Sequence, residues 1–387
     1  MAASPVPGAA LDTVLIKVAS RCNINCSYCY VYNMGDDNWA RQSKLMTSET
    51  VAAICTELGT LAQHQPTPFS VVLHGGEPLL LGPRRLHELL RQLRAVLPAT
   101  YPISLQTNGI LLSQQLLDCC ATHNVSVAVS LDGPAAVHDR FRLTHGGGGT
   151  FTQVMAGIAR LKAHPAAGFL HAGLLAVIDP TSDPVEVYQF FKSVGAPSVD
   201  FLYRDGNHSK LPEGKTSLHS LEYGRWMVGL LTAYAADPNP LPIRVLDDML
   251  KVLLGGNVSK EGLGLTDFGI LIIDTDGTLM KNDTLKSTYN GADRFTQPSN
   301  IRDTNLLAFL ESVEFAHYRT MQQPTSAKCL ACPALNVCGG GMILHRYHPD
   351  NGFDNPSVYC ADQLHLVAAM RRMLGAYSPD YALSQSA

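Results

Sequence analysis

Six short apolar runs alternate with helix-like segments between residues 11 and 201, and this alternation limits the folds open to the chain. The runs cover 14–18, 70–73, 103–106, 125–129, 170–178 and 198–202. Each is bounded by turn residues and reads as a strand. Between them, 48–63, 83–97, 113–122, 151–163 and 184–194 read as helices. Thr47-Ser48-Glu49 supplies a capping signal, and Pro83 falls in a first turn, where its missing N–H is not needed. Strands separated by helices pair in parallel through right-handed crossovers. The expected fold class is therefore α/β, a partial TIM-like barrel of about six units rather than a closed eightfold one.

Polar and glycine-rich motifs follow the first four runs. They are Arg21-Cys-Asn-Ile-Asn-Cys-Ser-Tyr-Cys-Tyr30, His74-Gly-Gly-Glu-Pro78, Gln106-Thr-Asn-Gly109 and Ser130-Leu-Asp-Gly-Pro134. All lie at the C-terminal ends of parallel strands, so they converge on one mouth of the barrel, where such barrels place their active sites. One glycine-rich turn alone is weak evidence, because βα turns use glycine for steric reasons. Four in register form a constellation.

Cysteine use is uneven. Cys22, Cys26 and Cys29 have C-x3-C-x2-C spacing on one loop. Three such thiolates can hold three irons of a four-iron cluster and leave the fourth iron open. An open position is where a metal centre does chemistry. Zinc would want a fourth Cys or His at matching spacing, yet the next histidine is His64, beyond a predicted helix. A second set, Cys329, Cys332, Cys338 and Cys360, suffices to ligate one centre fully; standing alone it would favour a zinc ribbon. Cys55, Cys119 and Cys120 fall in predicted helices and read as small buried apolar residues.

The remainder is less regular. Segments 221–236, 244–254 and 306–322 read as helices, and 269–281 as a hairpin turning at Asp274-Thr-Asp-Gly277. A barrel over 11–237 and a smaller α+β domain over 238–387 are expected, joined around 238–242. No further domain is expected ahead of the barrel. A net charge of −4 without a basic run argues against a nucleic-acid partner. No apolar stretch has the length of a membrane span, and Met1 to Ala10 lacks the regions of a signal peptide. A cytoplasmic location follows as the expectation, and disulfides are uncommon there.

With Tyr28 before its last cysteine, the first run resembles the radical S-adenosylmethionine (radical SAM) signature, C-x3-C-x-aromatic-C. The resemblance implies an open iron that binds the amino and carboxylate groups of SAM, and reductive cleavage to a 5′-deoxyadenosyl radical. It also implies cofactor binding by Gly75, Gly76 and Glu77 at the methionine amino group and by Tyr28 beside the adenine, with Asn108, Ser130 and Arg142 in the same mouth. The chemistry agrees. The glycines permit close approach, Glu77 can accept from an ammonium, and Ser130 can donate to a carboxylate or ribose. Arg142 can clamp a carboxylate with its planar fork, with Arg140 as its competitor.

The tail resembles the SPASM domain, which carries auxiliary four-iron clusters. There, C-x2-C-x5-C and a late cysteine hold one cluster, matched here by Cys329, Cys332, Cys338 and Cys360. Two ligands of a second auxiliary cluster fall on Asn282 and Met342, so one auxiliary cluster is expected, two [4Fe–4S] clusters in all. Asp283 matches an aspartate that serves as a catalytic base in some SPASM enzymes. His345 and His348 read as exposed loop residues.

Two longer runs narrow the resemblance: Lys17 to Cys22 continuing through Tyr30 to Trp39, and Asn-Gly-Phe-Asp-Asn-Pro-Ser-Val-Tyr-Cys360. They resemble the cyclophane-forming peptide maturases that make triceptides (the FxsB, GrrM and XyeB types). This implies removal of a β-hydrogen from a residue of a ribosomally made precursor peptide and attack of the carbon radical on an aromatic ring. The partners implied are that peptide and an electron donor such as flavodoxin or ferredoxin. The alternatives are thioether formation, sulfatase-maturase-like formylglycine formation, and a zinc-stapled binding protein with an inactive barrel.

Overall fold

The computed structural model describes residues 11–377; Met1 to Ala10 and the last ten residues of the expected C-terminal domain lie outside it. The chain divides into two compact units, one of 11–175 with 268–320 and the other of 176–267 with 321–377.

Strands in chain order are β1 (Thr13–Ala19), β2 (Ile24–Cys26), β3 (Ser70–Gly75), β4 (Ile103–Thr107), β5 (Val125–Ser130), β6 (Arg142–Thr144), β7 (His171–Val177), β8 (Val199–Leu202), β9 (Ile270–Ile273) and β10 (Leu279–Met280). The main sheet of the first unit runs β10-β9-β1-β3-β4-β5-β7. Its barrel strands pair in parallel, for instance Thr13 with Ser70, Val71 with Ile103 and Ile103 with Val125. The apolar residues alternate with the pleat: Val14, Ile16, Val71, Leu73, Ile103, Leu105, Val125 and Val127 are buried on one face. Ile54, Leu58, Leu86 and Leu90 form the matching buried stripes of helices Ser48–His64 and Gly82–Val96. On the other face Val72, His74, Gln106 and Ser130 are only half-buried. That face, at the C-terminal strand ends, carries the chemistry.

The expected strands and the five barrel helices are all present to within about two residues. The fifth strand is β7, preceded directly by one turn of helix, Ala167–Leu170. The expected helix over 306–322 is two, Leu306–Leu310 and Val313–Thr320; the Ser312 hydroxyl accepts from the N–H of Phe315 and starts the second. The hairpin at 269–281 is present, but β9 pairs in parallel with β1, Thr13 against Ile270. This pairing brings 268–320 into the barrel unit, so the compact units do not follow a sequential boundary at 237/238.

In the second unit, Ile178 donates to the carbonyl of Leu202 at the end of β8, and Val199 bridges Ile243. Helices Glu222–Ala236 and Cys360–Tyr377 approach so closely that a Cβ at Gly224 would lie 2.8 Å from Asp362 Cα. Tyr203, Tyr223 and Tyr359 stack with centroids 4.6–5.8 Å apart.

Candidate active site

The cysteine loop leaves β1 and is held on both sides. Its β2 segment pairs antiparallel with β6, setting Cys26 opposite Arg142, and the N–H of Ser27 donates to Phe141 O at 2.9 Å. Arg21 donates to the carbonyls of Trp39 and Ala40 and stacks on the Trp39 ring at 5.1 Å. The β2–β6 pair joins segments more than a hundred residues apart, and strands of three residues are too short to read from periodicity.

Gly75 and Gly76 seat this loop. A Cβ at Gly75 would come within 2.2 Å of Ala19 O, and one at Gly76 within 2.3 Å of Arg21 O. The close approach that requires glycine here is to the end of β1 at Gly75 and to the start of the cysteine loop at Gly76. Glu77 is buried at 1% exposure and its carboxylate ties two βα turns together. Oε1 accepts from the Leu79 N–H at 2.9 Å and the Thr107 hydroxyl at 2.7 Å, and Oε2 accepts from the Asn108 N–H at 2.8 Å. Three of its roughly four acceptor positions are filled within the protein. Burial pushes its pKa up against these bonds. Asn108 carries the tie to the loop: its Nδ2 donates to Asn23 Oδ1 at 2.7 Å and lies 3.7 Å from Cys22 Sγ.

Tyr28 donates to Asp132 Oδ2 at 2.5 Å and accepts from Arg142 Nη1 at 2.9 Å. Asp132 and Arg142, both buried, approach to 4.0 Å, completing a trio with the half-buried Tyr28 beside Cys26. Arg140 is exposed over the Phe141 ring, so Arg142 takes the site position for which the two competed. Arg142 Nε is buried with no acceptor. Ser130 Oγ accepts from Gln106 at 2.9 Å and keeps its own proton for donation. Sequence reasoning singled out Ser130 but passed over Asp132, two residues along in the same motif; only the contact with Tyr28 distinguishes it.

Asp283 opens the turn after β10 and is 2% exposed. Its oxygens lie 3.1 and 3.3 Å from Lys17 Nζ and 3.9 Å from Lys286 Nζ. Burial opposes the charge on Lys17, but Asp283 and Asp274 outweigh it and hold its pKa above the ordinary value. Asn282 caps the same turn, accepting from the N–H and hydroxyl of Thr284.

In the second unit, burial pushes the pKa of Cys329, Cys338 and Cys360 up, and the neighbouring thiols of the set, Cys332 among them, lie close enough to add to it. Gly339, Gly340 and Gly341 continue from Cys338 with φ of +59°, +80° and +70°. A Cβ at Gly339 would meet Gly264 O at 2.1 Å, so this turn requires glycine. Arg346, 1% exposed, is pinned by the carbonyls of Met321 and Gln322 and contributes positive charge near Cys329 and Cys338. His345 corrects an expectation: it is buried at 3% exposure and packs edge-on against Tyr359 at 4.9 Å, because its short 3-10 turn folds inward.

Both cysteine sets fit clusters better than single ions. Among the described residues, neither brings three sulfurs within 4.8 Å of one another, whereas one tetrahedral zinc needs about 3.8 Å between sulfurs. Burial pushes Cys22 up to about 12, Cys29 up to about 11 and Cys338 up to about 12, so metal loading must expel their protons. Cys22, Cys26 and Cys29 could hold three irons of an open cluster, and the tail set could hold four. The acceptor missing from Arg142 Nε suits a carboxylate ligand.

Residues 16–181, which include the cysteine loop and all four βα motifs, match the Radical SAM superfamily. The chain is 24% identical over 356 residues to the cysteine-type anaerobic sulfatase-maturating enzyme of Clostridium perfringens, covering 90% of this chain and 93% of that enzyme. It is 25% identical over 361 residues to the serine-type enzyme of Bacteroides thetaiotaomicron, covering 86% and 83%. Among solved structures, native anSMEcpe with bound AdoMet superposes with a TM-score of 0.80 at 21% identity, covering 94% of this chain and 98% of that one. Streptococcus suis SuiB bound to its precursor peptide SuiA superposes at 0.61 and 14% identity, covering 90% and 75%. The fold is that of these radical SAM enzymes.

Proposed function

We propose that this chain, a radical SAM enzyme working with SAM and [4Fe–4S] clusters, modifies a peptide by joining a side-chain β-carbon to an aromatic ring. The peptide substrate is supported by likeness over nearly the whole chain to anSMEcpe, also solved with the Cp18Cys peptide, and to SuiB, solved with SuiA. The carbon–carbon cross-link is supported by the cyclophane-maturase-like runs and by Asn282, which caps a turn where an enzyme with two auxiliary clusters would place a thiolate. When bound, SAM and the site cluster supply a hydrogen-abstracting radical, and the auxiliary cluster supplies an electron acceptor.

The residues of the chain divide the remaining work. Cys22, Cys26 and Cys29 hold the site cluster. Arg142, fixed by Tyr28 and Asp132, presents its fork to the SAM carboxylate, and Ser130 donates alongside. Glu77 and Asn108 keep the loop in place and offer the remaining acceptor to the amino group. Cys329, Cys332, Cys338 and Cys360 hold the auxiliary cluster. Asp283, held by Lys17 and Lys286, accepts the proton lost as the ring regains aromaticity. A second reading, formylglycine formation, is supported by the likeness to the anaerobic sulfatase-maturating enzymes.

Tandem mass spectrometry of a co-expressed precursor separates the readings. The cross-linked peptide is expected to be lighter by the two hydrogens lost per bond, with a backbone that resists fragmentation between the joined residues. Replacing the acceptor aromatic residue with Ala abolishes it. An aldehyde reactive towards hydrazine, or a link through sulfur, overturns the carbon–carbon assignment.

A further inference from the structure

We propose that His87, Cys119 and His123 form a zinc-type metal site that clips two helices of the first unit together. Nothing in the radical chemistry uses these residues. His87 lies on helix Gly82–Val96, Cys119 on helix Gln114–Thr122, and His123 is the C-cap of the second helix. Cys119 and His123 are four apart, a spacing that puts both on one face. Arg94 of the first helix fixes their height, donating to the carbonyls of His123 and Asn124 at 2.7 Å each.

Three ligand atoms converge. His123 Nε2 lies 3.1 Å from His87 Nδ1, the ring centroids are 4.9 Å apart, and one ring nitrogen of each histidine and Cys119 Sγ lie within 4.8 Å of one another. On a tetrahedral ion, with metal–nitrogen bonds of ~2.0–2.1 Å and metal–sulfur bonds of ~2.3 Å, the nitrogens sit ~3.3 Å apart and nitrogen and sulfur ~3.6 Å apart. The ion takes the place of the proton the imidazoles share, and the thiol proton leaves to solvent.

The donor set selects the metal. Two imidazoles and a thiolate prefer zinc or cobalt over magnesium or calcium, and three protein ligands leave the fourth position for water. Access and closure are provided for: His87 is exposed, whereas Cys119 is buried at 7% exposure and closes the inner side. The opposing charges are Arg91 and Arg94. Glu88 offsets Arg91, accepting from it at 2.7 and 3.0 Å, and Arg94 is committed to carbonyls.

The test uses anaerobically reconstituted protein, so that the cluster cysteines are already occupied. It is equilibrated with one equivalent of zinc, desalted, and zinc and iron are counted together. Wild type is expected to retain about one zinc per chain with its iron unchanged. His87→Ala, on an exposed side chain, and Cys119→Ser should each lower retained zinc by about tenfold or more. In a cobalt-loaded sample, the difference spectrum should contain a sulfur-to-cobalt charge-transfer band that Cys119→Ser removes. Zinc retained equally by wild type and His87→Ala, no zinc retained by wild type, or zinc gained only as iron is lost would each overturn the site.

Discussion

Replacing Glu77 tests whether this carboxylate acts on SAM alone or also holds the mouth of the barrel together. In Glu77→Ala, two buried backbone donors, Leu79 N–H and Asn108 N–H, lose their acceptors, while the Thr107 hydroxyl is free to rotate. An orphaned buried donor costs ~1–3 kcal/mol, so the variant should lose ~2–6 kcal/mol. In a unit of about two hundred residues this lowers the melting temperature by at least ~4 °C. Asn108 loses its anchor, and with it the contacts to Asn23 and Cys22, so iron at the site cluster should fall together with SAM binding. Glu77→Gln retains one acceptor oxygen and should lose only the Asn108 bond, ~1–3 kcal/mol. Near-UV circular dichroism melts, iron analysis and SAM binding report the three effects separately. An Ala variant that melts with wild type and keeps all its iron while losing SAM binding would refute the structural tie.

Reconstituted protein is expected to hold about eight irons per chain, and the Cys22→Ala/Cys26→Ala/Cys29→Ala variant about half of them; about twelve irons, or about four with one zinc, would contradict two clusters. Tyr28→Phe removes the hydroxyl that links Arg142 to Asp132, and should slow SAM cleavage by about tenfold with iron unchanged; an unchanged rate would show that the trio does not position Arg142. Asp362→Ala strands Lys215, whose ammonium lies 2.5 Å from that carboxylate with both side chains at 0% exposure, and should cost ~3–5 kcal/mol. Lys215→Met/Asp362→Leu should recover most of this, and a single variant as stable as wild type would refute the pairing. Burial holds His138 and His345 at about 3, below the ordinary 6.5, so the unfolded chain protonates first as pH falls. Each histidine's contribution is whole above pH 6.5 and drains away towards pH 3, by ~4–5 kcal/mol. The melting temperature of His138→Gln should therefore fall less steeply than that of wild type across this window, and identical slopes would refute the assignment.

Much of the site was legible as residue types and little of it as contacts. The three-cysteine loop, the glycine–glutamate turn and the tail cysteines announce themselves by spacing. The jobs of Gly75, Gly76 and Glu77 did not follow from their types. Glycine at a mouth suits a ligand or a neighbouring backbone equally, and the 2.2 Å clearance at Gly75 shows that the end of β1 already requires it. Asp132 and Lys17 look like ordinary strand-end charges until Tyr28 and Asp283 are seen beside them. The hairpin at 269–281 was readable from its turn, yet its pairing with β1 was not, because the partner strand lies over two hundred residues away.

By itself the sequence determined the alternation of strands and helices, the mouth at which the motifs gather, and the two sets of cysteines. Those properties are local: a pleat repeats every two residues, a helix every 3.6, and a cluster loop is complete within eight residues, Cys22 to Cys29. Only the tertiary structure decided which arginine faces the cysteine loop, which carboxylates meet lysines, and that two histidines and a cysteine from two helices come within reach of one ion. Such pairings depend on the register between segments far apart in the chain, and register is set when one face of each element is buried as a whole.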